Sequence, residues 1–205
     1  MIEKIIIGEL GTNCYILYND EYNECILIDP ANDYDAIIDK CNAIGKIPKY
    51  ILLTHGHFDH VGACGKLKEN NGAKIYISEK DADTDTQRSI AGSLGFDFDC
   101  FVPDGYVSDG DVLTLIGFEI KVIATPGHSQ GSVCYIIESE KTIFAGDTIM
   151  YLSYGRYDFI GGNYSEIKDS IINKLFTLDG DYRLLSGHGR ETSLSFERKY
   201  NMILL

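Results

Sequence analysis

The sequence predicts an α/β domain over residues 1–205, with helices packed outside stacked sheets. Three observations predict it. Short apolar runs rich in β-branched and aromatic residues outnumber helical stretches in both halves of the chain. The helical stretches fall between those runs rather than in a block of their own. Four of the apolar runs lead directly into a segment bearing His or Asp, the arrangement of a layered protein that gathers its working residues at strand ends. No linker interrupts the chain, so the reading is a single domain.

The first third reads as strand, strand, strand, helix, strand. Residues 2–7 and 13–18 are β-rich, with a turn at Gly11-Thr12, and 24–29 form a third strand ended by Pro30. Tyr34, Ile37, Ile38, Cys41 and Ile44 recur at helical spacing over 33–44, and Gly45 is placed to stop that helix. The KYILL run at 49–53 suits a strand buried on both faces. Residues 61–69 suit a helix and 74–77 a short strand. Residues 79–105 are acidic, with little clear period, and read as an insertion of short helical turns near the active site. Strands follow at 112–116, 118–124, 132–138 and 141–145. A helix over 165–176 has Ser165 as N-cap, a strand covers 182–186, and a last helix starts near Ser193.

The charge balance excludes several partners. With 31 acidic against 18 basic residues the net charge is −13, which disfavours nucleic acid and anionic membrane surfaces, both of which need Lys/Arg neutralisation. No run approaches the ~20 apolar residues of a membrane helix, and the N-terminus lacks the basic start and cleavage site of a secretory signal. A cytoplasmic protein is expected. The six cysteines form no C-x-x-C pair and sit in apolar runs such as ECILI and VCYII, which suits reduced, buried thiols.

The chemistry concentrates in four places. Residues 54–60 read Thr-His-Gly-His-Phe-Asp-His, placing His55, His57, Asp59 and His60 within six positions. His128 follows EIKVIA in Thr-Pro-Gly-His, Asp147 follows KTIF in Ala-Gly-Asp-Thr, and His188 follows YRLL in Ser-Gly-His-Gly. The chain has only five histidines and all fall in these motifs. A lone histidine or aspartate after a strand is more often a hydrogen-bonded structural residue; five together with two aspartates point to metal. Imidazole and carboxylate are ligands that zinc, iron(II) and manganese accept. Seven are too many for one tetrahedral zinc and suit two ions sharing a carboxylate.

These motifs, with GTNCYIL, ILIDP, GSVCY and SGHGRETSLSFERKYN, resemble the metallo-β-lactamase-fold hydrolases, and within them the glyoxalase II-like group. The resemblance covers nearly the whole chain. It implies a four-layer αββα sandwich with two divalent ions at one edge between the sheets, zinc first, iron or manganese as alternatives. It implies that His55, His57 and His128 hold one ion, that Asp59, His60 and His188 hold the other, and that Asp147 bridges them. Asp59 and Asp147 are the implied catalytic residues, and a metal-bridging hydroxide, oriented by Asp59, would attack the carbonyl of a small-molecule acyl substrate.

Details narrow the group. Classical metallo-β-lactamases place cysteine where this chain has Asp147, lactonases of homoserine lactones carry a further histidine where it has Ser132, and flavodiiron proteins replace His57 with glutamate. The resemblance therefore implies a hydrolase of thioesters or small acyl esters, of the hydroxyacylglutathione hydrolase type. A mononuclear iron persulfide dioxygenase, a lactonase on the same scaffold and a non-catalytic metal-binding module are the alternatives. The segment Gly155-Arg156-Tyr157-Asp158 resembles an element shared with the dioxygenases, whereas the final Gly-His-Gly-x-x-Thr favours the short hydrolases. Full-length glyoxalase II enzymes carry a C-terminal helical region for glutathione; this sequence runs about one helix past His188, so glutathione recognition is not carried over. Arg156 and Asp158 are expected as a structural ion pair beneath the site, with Arg156 and Tyr154 as the candidate substrate contacts.

Overall fold

Alternation along the strands sets the architecture. The computed structural model describes residues 1–205. The first half forms β1 (Ile2–Ile7), β2 (Thr12–Leu17), β3 (Glu24–Ile28), α1 (Tyr34–Ala43), β4 (Ile47–Leu52), α2 (Phe58–Val61), α3 (Cys64–Asn71), β5 (Lys74–Ile77), α4 (Thr84–Ser93) and β6 (Gly105–Tyr106). The second half forms β7 (Val112–Leu115), β8 (Phe118–Ala124), β9 (Val133–Ile137), β10 (Thr142–Gly146), β11 (Ile149–Met150), β12 (Ser153–Tyr154), α5 (Tyr164–Asp169), β13 (Arg183–Ser186), β14 (Thr192–Ser193) and α6 (Leu194–Tyr200). Helix α5 runs on through a π-helical stretch at Ser170–Leu175.

Six strands pair in the order β1-β2-β3-β4-β5-β6, and six in the order β14-β13-β10-β9-β8-β7. Side chains alternate across each sheet. On β2, Cys14 and Ile16 join Ile37 and Cys41 of α1 and Leu67 of α3, whereas Tyr15 and Leu17 join Val122, Tyr135 and Phe144 of the second sheet. On β9 and β10, Cys134, Ile136, Ile143 and Ala145 face Ile167, Ile171 and Leu194 on the helices behind. Each sheet is thus apolar on both faces, with helices outside and the other sheet inside. This is the αββα order, and it explains why the central strands carry unbroken apolar runs.

Some local expectations shift. The single helix expected at 61–69 is two, α2 and α3, with a break at Gly62. Asn163, not Ser165, caps α5, accepting a hydrogen bond from Glu166 N at 3.2 Å. The third strand stops at Ile28 because Asp29 turns to φ 50°. Segment 79–105 holds a 3₁₀ turn at Glu79–Asp81 and the ten-residue α4, capped by Asp83, more helix than the weak period suggested. All six cysteines are free thiols and five are buried. No helix is long and apolar enough to cross a membrane.

Candidate metal centre

The strand ends place the histidines. HGHFDH follows β4 and turns into α2, His128 follows β8, Asp147 follows β10, and His188 follows β13. The parallel pairing of β10 with β13, where Gly146 lies opposite Ser186, brings Asp147 and His188 to the same sheet edge. The two sheets meet there through Thr12, which bridges to His188, and through Asn13 N, which donates to Gly187 O at 2.7 Å. Asn13 Nδ2 also donates to Ser186 O at 2.9 Å and Gly189 O at 3.0 Å, so one side chain of β2 grips both sides of the His188 loop. Gly187 is required by close approach, since a Cβ there would lie 2.6 Å from His60 Cε1.

All seven residues singled out in the sequence come together. His55, His57 and His128 form one group and Asp59, His60 and His188 another, with the donor atoms within each group no more than 4.8 Å apart. His57 Nδ1 and His128 Nε2 lie 2.9 Å apart; His60 Nε2 and His188 Nε2 lie 3.3 Å apart. Asp147 faces both groups, with Oδ1 at 3.6 Å from His60 Nε2 and Oδ2 at 3.6 Å from both His128 Nε2 and His188 Nε2.

Two buried atoms in this cluster have no hydrogen-bond partner, His55 Nε2 and Asp147 Oδ1. A buried polar atom without a partner costs ~1–3 kcal/mol, so a cluster with two, aimed among other nitrogen and oxygen donors, fits a cation. The surrounding hydrogen bonds turn the lone pairs the same way. His128 Nδ1 donates to Arg156 O at 2.6 Å, leaving Nε2 toward the cluster. Thr54 Oγ1 donates to Asp29 Oδ2 at 2.6 Å and so accepts from His55 Nδ1 at 3.1 Å, which leaves His55 Nε2 as the ligating atom.

Asp29 was not singled out in the sequence. It lies with His55 and His60 in a third group of possible ligands. Its oxygens are already taken: Thr54 N donates at 2.8 Å, Thr54 Oγ1 at 2.6 Å and His60 Nδ1 at 3.0 Å. It therefore orients His60 instead of ligating. Its sequence signal was the one used for the others, a carboxylate at the end of an apolar strand, hidden because Pro30 offered a simpler explanation.

The electrostatics divide the cluster. Burial, reinforced by the neighbouring histidines, holds His55 below the ordinary imidazole value, and burial with His128 and His60 brings His57 down to about 4. Burial opposes the charge on His60 as well, but Asp59, Asp147 and Asp29 outweigh it and push it up to about 10. His188 is raised in the same way, burial being outweighed chiefly by Asp59 and Asp147. Burial works against ionised Asp59, yet His60, His188 and His57 hold it well below the usual carboxylate range. His55 and His57 are thus held neutral by burial and by one another, whereas His60 and His188 take their charge from the carboxylates beside them.

The Arg156–Asp158 pair is formed, with Nε–Oδ1 at 2.9 Å and Nη2–Oδ2 at 2.8 Å. It does not lie beneath the site: the side chains are 66% and 60% exposed, and the guanidinium covers the ring of Phe159, 4.2 Å from its centroid. Phe159 in turn meets His57 and His128 edge to face, which puts Arg156 at the rim of the cluster. Tyr154 packs against the outer core and neighbours Tyr157 and Tyr164. A shallow cleft beside Asp59 is lined by Leu10, Thr12, Phe58 and Phe96, and a more open one beside His57 by Lys80, Gln87 and Gln130.

Comparison with known proteins identifies the family. The profile of the metallo-beta-lactamase superfamily matches residues 7–188. The chain is similar to the hydroxyacylglutathione hydrolase GloC of Haemophilus influenzae, 35% identical across 99% of this chain and 97% of that protein. Among solved structures it is similar to the BLEG-1 B3 metallo-beta-lactamase, with a TM-score of 0.92, 34% identity, and coverage of 100% and 99% of the two chains. It is also similar to TTHA1623 in a di-iron-bound form, with a TM-score of 0.89, 30% identity and 98% of each chain covered. With the profile spanning its metal motifs and relatives matched end to end, the chain belongs to the metallo-β-lactamase superfamily.

Proposed function

We propose that this protein is a hydrolase of thioesters or small acyl esters, working with two divalent ions, zinc first. One observation carries the reading: two groups of three donors lie side by side, Asp147 reaches both, and His55 Nε2 and Asp147 Oδ1 are buried without partners. His55, His57 and His128 would hold one ion, Asp59, His60 and His188 the other, and Asp147 both. Bound there, such ions supply a Lewis acid for the acyl carbonyl and bring the pKa of water toward ~7.

The chain's own residues do the rest. Asp59, kept ionised and lining the cleft with Leu10, Phe58 and Phe96, accepts a hydrogen bond from the attacking water and orients it toward the acyl carbon. Leu10, Phe58 and Phe96 beside Asp59 offer the acyl group an apolar surface to lie against. Arg156 at the rim offers a cation to a carboxylate on the substrate. The leaving group selects the ester class. A thiol of pKa ~8.5 departs as thiolate, so the carbon–sulfur bond breaks without a dedicated acid. The whole-length similarity to a hydroxyacylglutathione hydrolase supports the same class. The di-iron state of TTHA1623 makes iron the alternative metal.

The test is elemental analysis of the purified protein beside a turnover panel of thioester, lactone, β-lactam and persulfide. The expected result is two ions per chain and thiol release from the thioester. A single iron with oxygen consumed and sulfite formed from the persulfide overturns the reading, as does turnover confined to the lactone or β-lactam.

A further inference from the structure

We propose that Asp81, in the 3₁₀ turn that opens segment 79–105, is a positioning residue that locks His57 and His128 into one metal-binding arrangement. The inference rests on the metal centre described above and is independent of which substrate the centre acts on.

Asp81 lies outside the cluster yet ties together the two loops that carry His57 and His128. Its Oδ2 accepts from Gly56 N at 3.1 Å and from Ser129 Oγ at 2.5 Å, and its Oδ1 accepts from Gly131 N at 2.8 Å. Gly56 immediately precedes His57, and Ser129 immediately follows His128. Ser129 Oγ also lies 2.6 Å from Ser132 Oγ, which accepts from Ser129 N at 3.2 Å, so the carboxylate closes a network around the His128 loop. Backbone pairing between the two loops runs through Val133 N to Thr54 O at 2.8 Å; apart from the histidines themselves, this carboxylate carries the bridge from there on.

A second side chain of the same segment completes the hold on His57. Gln87 Oε1, on α4, accepts from Phe58 N at 3.0 Å. The amides on both sides of His57 therefore donate to side chains from segment 79–105. The fit is close. A Cβ at Gly56 would collide with the Asp81 carbonyl, and one at Gly131 would lie 2.6 Å from the Asp81 carboxylate. The glycine of the HGH motif is thus needed so that this turn can approach.

The chemistry explains why a carboxylate is used. It presents two acceptor oxygens to three donors, with hydrogen bonds strengthened by its charge. Asparagine keeps one oxygen and turns an NH₂ toward a donor, so it retains part of the clamp; alanine retains none. The other group is held by different means, Asp29 on His60 and Asn13 on the His188 loop. Loss of Asp81 should therefore weaken one metal position and spare the other.

The experiment measures zinc affinity by competition with a chromophoric chelator in two backgrounds. His188→Ala leaves the His55–His57–His128 position, and His128→Ala leaves the Asp59–His60–His188 position. Adding Asp81→Ala is expected to weaken zinc binding about 10–100-fold in the first background and less than about twofold in the second, the range found for residues that orient ligands. Asp81→Asn should fall between. Equal losses in both backgrounds, or no loss in the first, overturn the proposal. Circular dichroism checks the fold, and Asp81→Asn carries the same comparison where the alanine variant does not fold. An unmodified protein that binds two ions but hydrolyses no thioester removes the proposed function and leaves this inference standing; one that binds no zinc overturns it.

Discussion

His60 and His57 titrate in opposite directions, and the consequence is measurable in metal-free protein. His60, raised to about 10 by its carboxylates against the cost of burial, stabilises the fold fully below its unfolded value of ~6.5 and loses that contribution as pH rises through about 10. His57, lowered to about 4 by burial and its neighbouring imidazoles, stays neutral when the unfolded chain would take up a proton, so stability falls as pH drops from ~6.5 toward 4. Together these two histidines give chelator-treated protein a stability maximum near pH ~6.5. Urea titrations at a series of pH values check it, and a curve that climbs steadily to pH 9 would contradict it. Asp29 is expected to matter through His60: Asp29→Ala should lower metal affinity ~10–100-fold without removing a ligand. For Arg156, a pair this exposed is worth at most ~1 kcal/mol, so Arg156→Ala should barely move the melting temperature while raising KM for an anionic thioester. A large drop in melting temperature with unchanged KM would restore the structural reading. At this scale the sequence was most informative about residues whose chemistry is unusual, the five histidines and their two aspartates. It was silent on Asp29 and Asp81, because an aspartate is common and its meaning here depends on which amides and rings lie across the fold.

At the level of single elements, the strands were easier to read than the helix ends. Central strands such as β3 and β9 are apolar on both faces and announce themselves; a helix boundary depends on which polar side chain reaches the free amides. Asn163 reaches Glu166 N, so α5 starts before Ser165. The α4 helix was missed as a continuous element because its residues, TDTQRSIAGS, bury only Ala91 and leave no apolar stripe to detect. Helix α6 is anchored from a distance: Asp181 accepts from Ser195 N at 2.7 Å and Ser195 Oγ at 2.8 Å, beside the Ser193 cap. Asp181→Ala is expected to cost about 1 kcal/mol, the size of a lost cap, read as a shifted denaturant midpoint with unchanged slope. The two-residue strands β6 and β14 carry too few residues for any period and exist because a longer neighbour offers them a partner, whereas β11 and β12, equally short, pair with each other.

For the molecule as a whole, three stacked apolar layers hold two sheets and their helices. Leu27 is fully buried among Cys14, Ile37 and Leu67, and Leu27→Ala should destabilise by about 2–5 kcal/mol, measured by equilibrium unfolding. The αββα order was legible through the ordered set of motifs and through strands that alternate between two hydrophobic environments; the pairing order of the strands was not, since partners such as β10 and β13 are fixed by contacts distant in sequence.

That distance governs when the centre can first exist. His60 and His188 are 128 positions apart, and Asn13, which grips the loop of His188, is 173 positions from Ser186. A growing polypeptide on the ribosome therefore has its first three histidines long before the last one emerges, and its complete cation cradle only after the loop that follows β13 has docked against β2. Stalled chains ending before residue 188 are expected to hold at most one ion, at the position built from His55, His57 and His128.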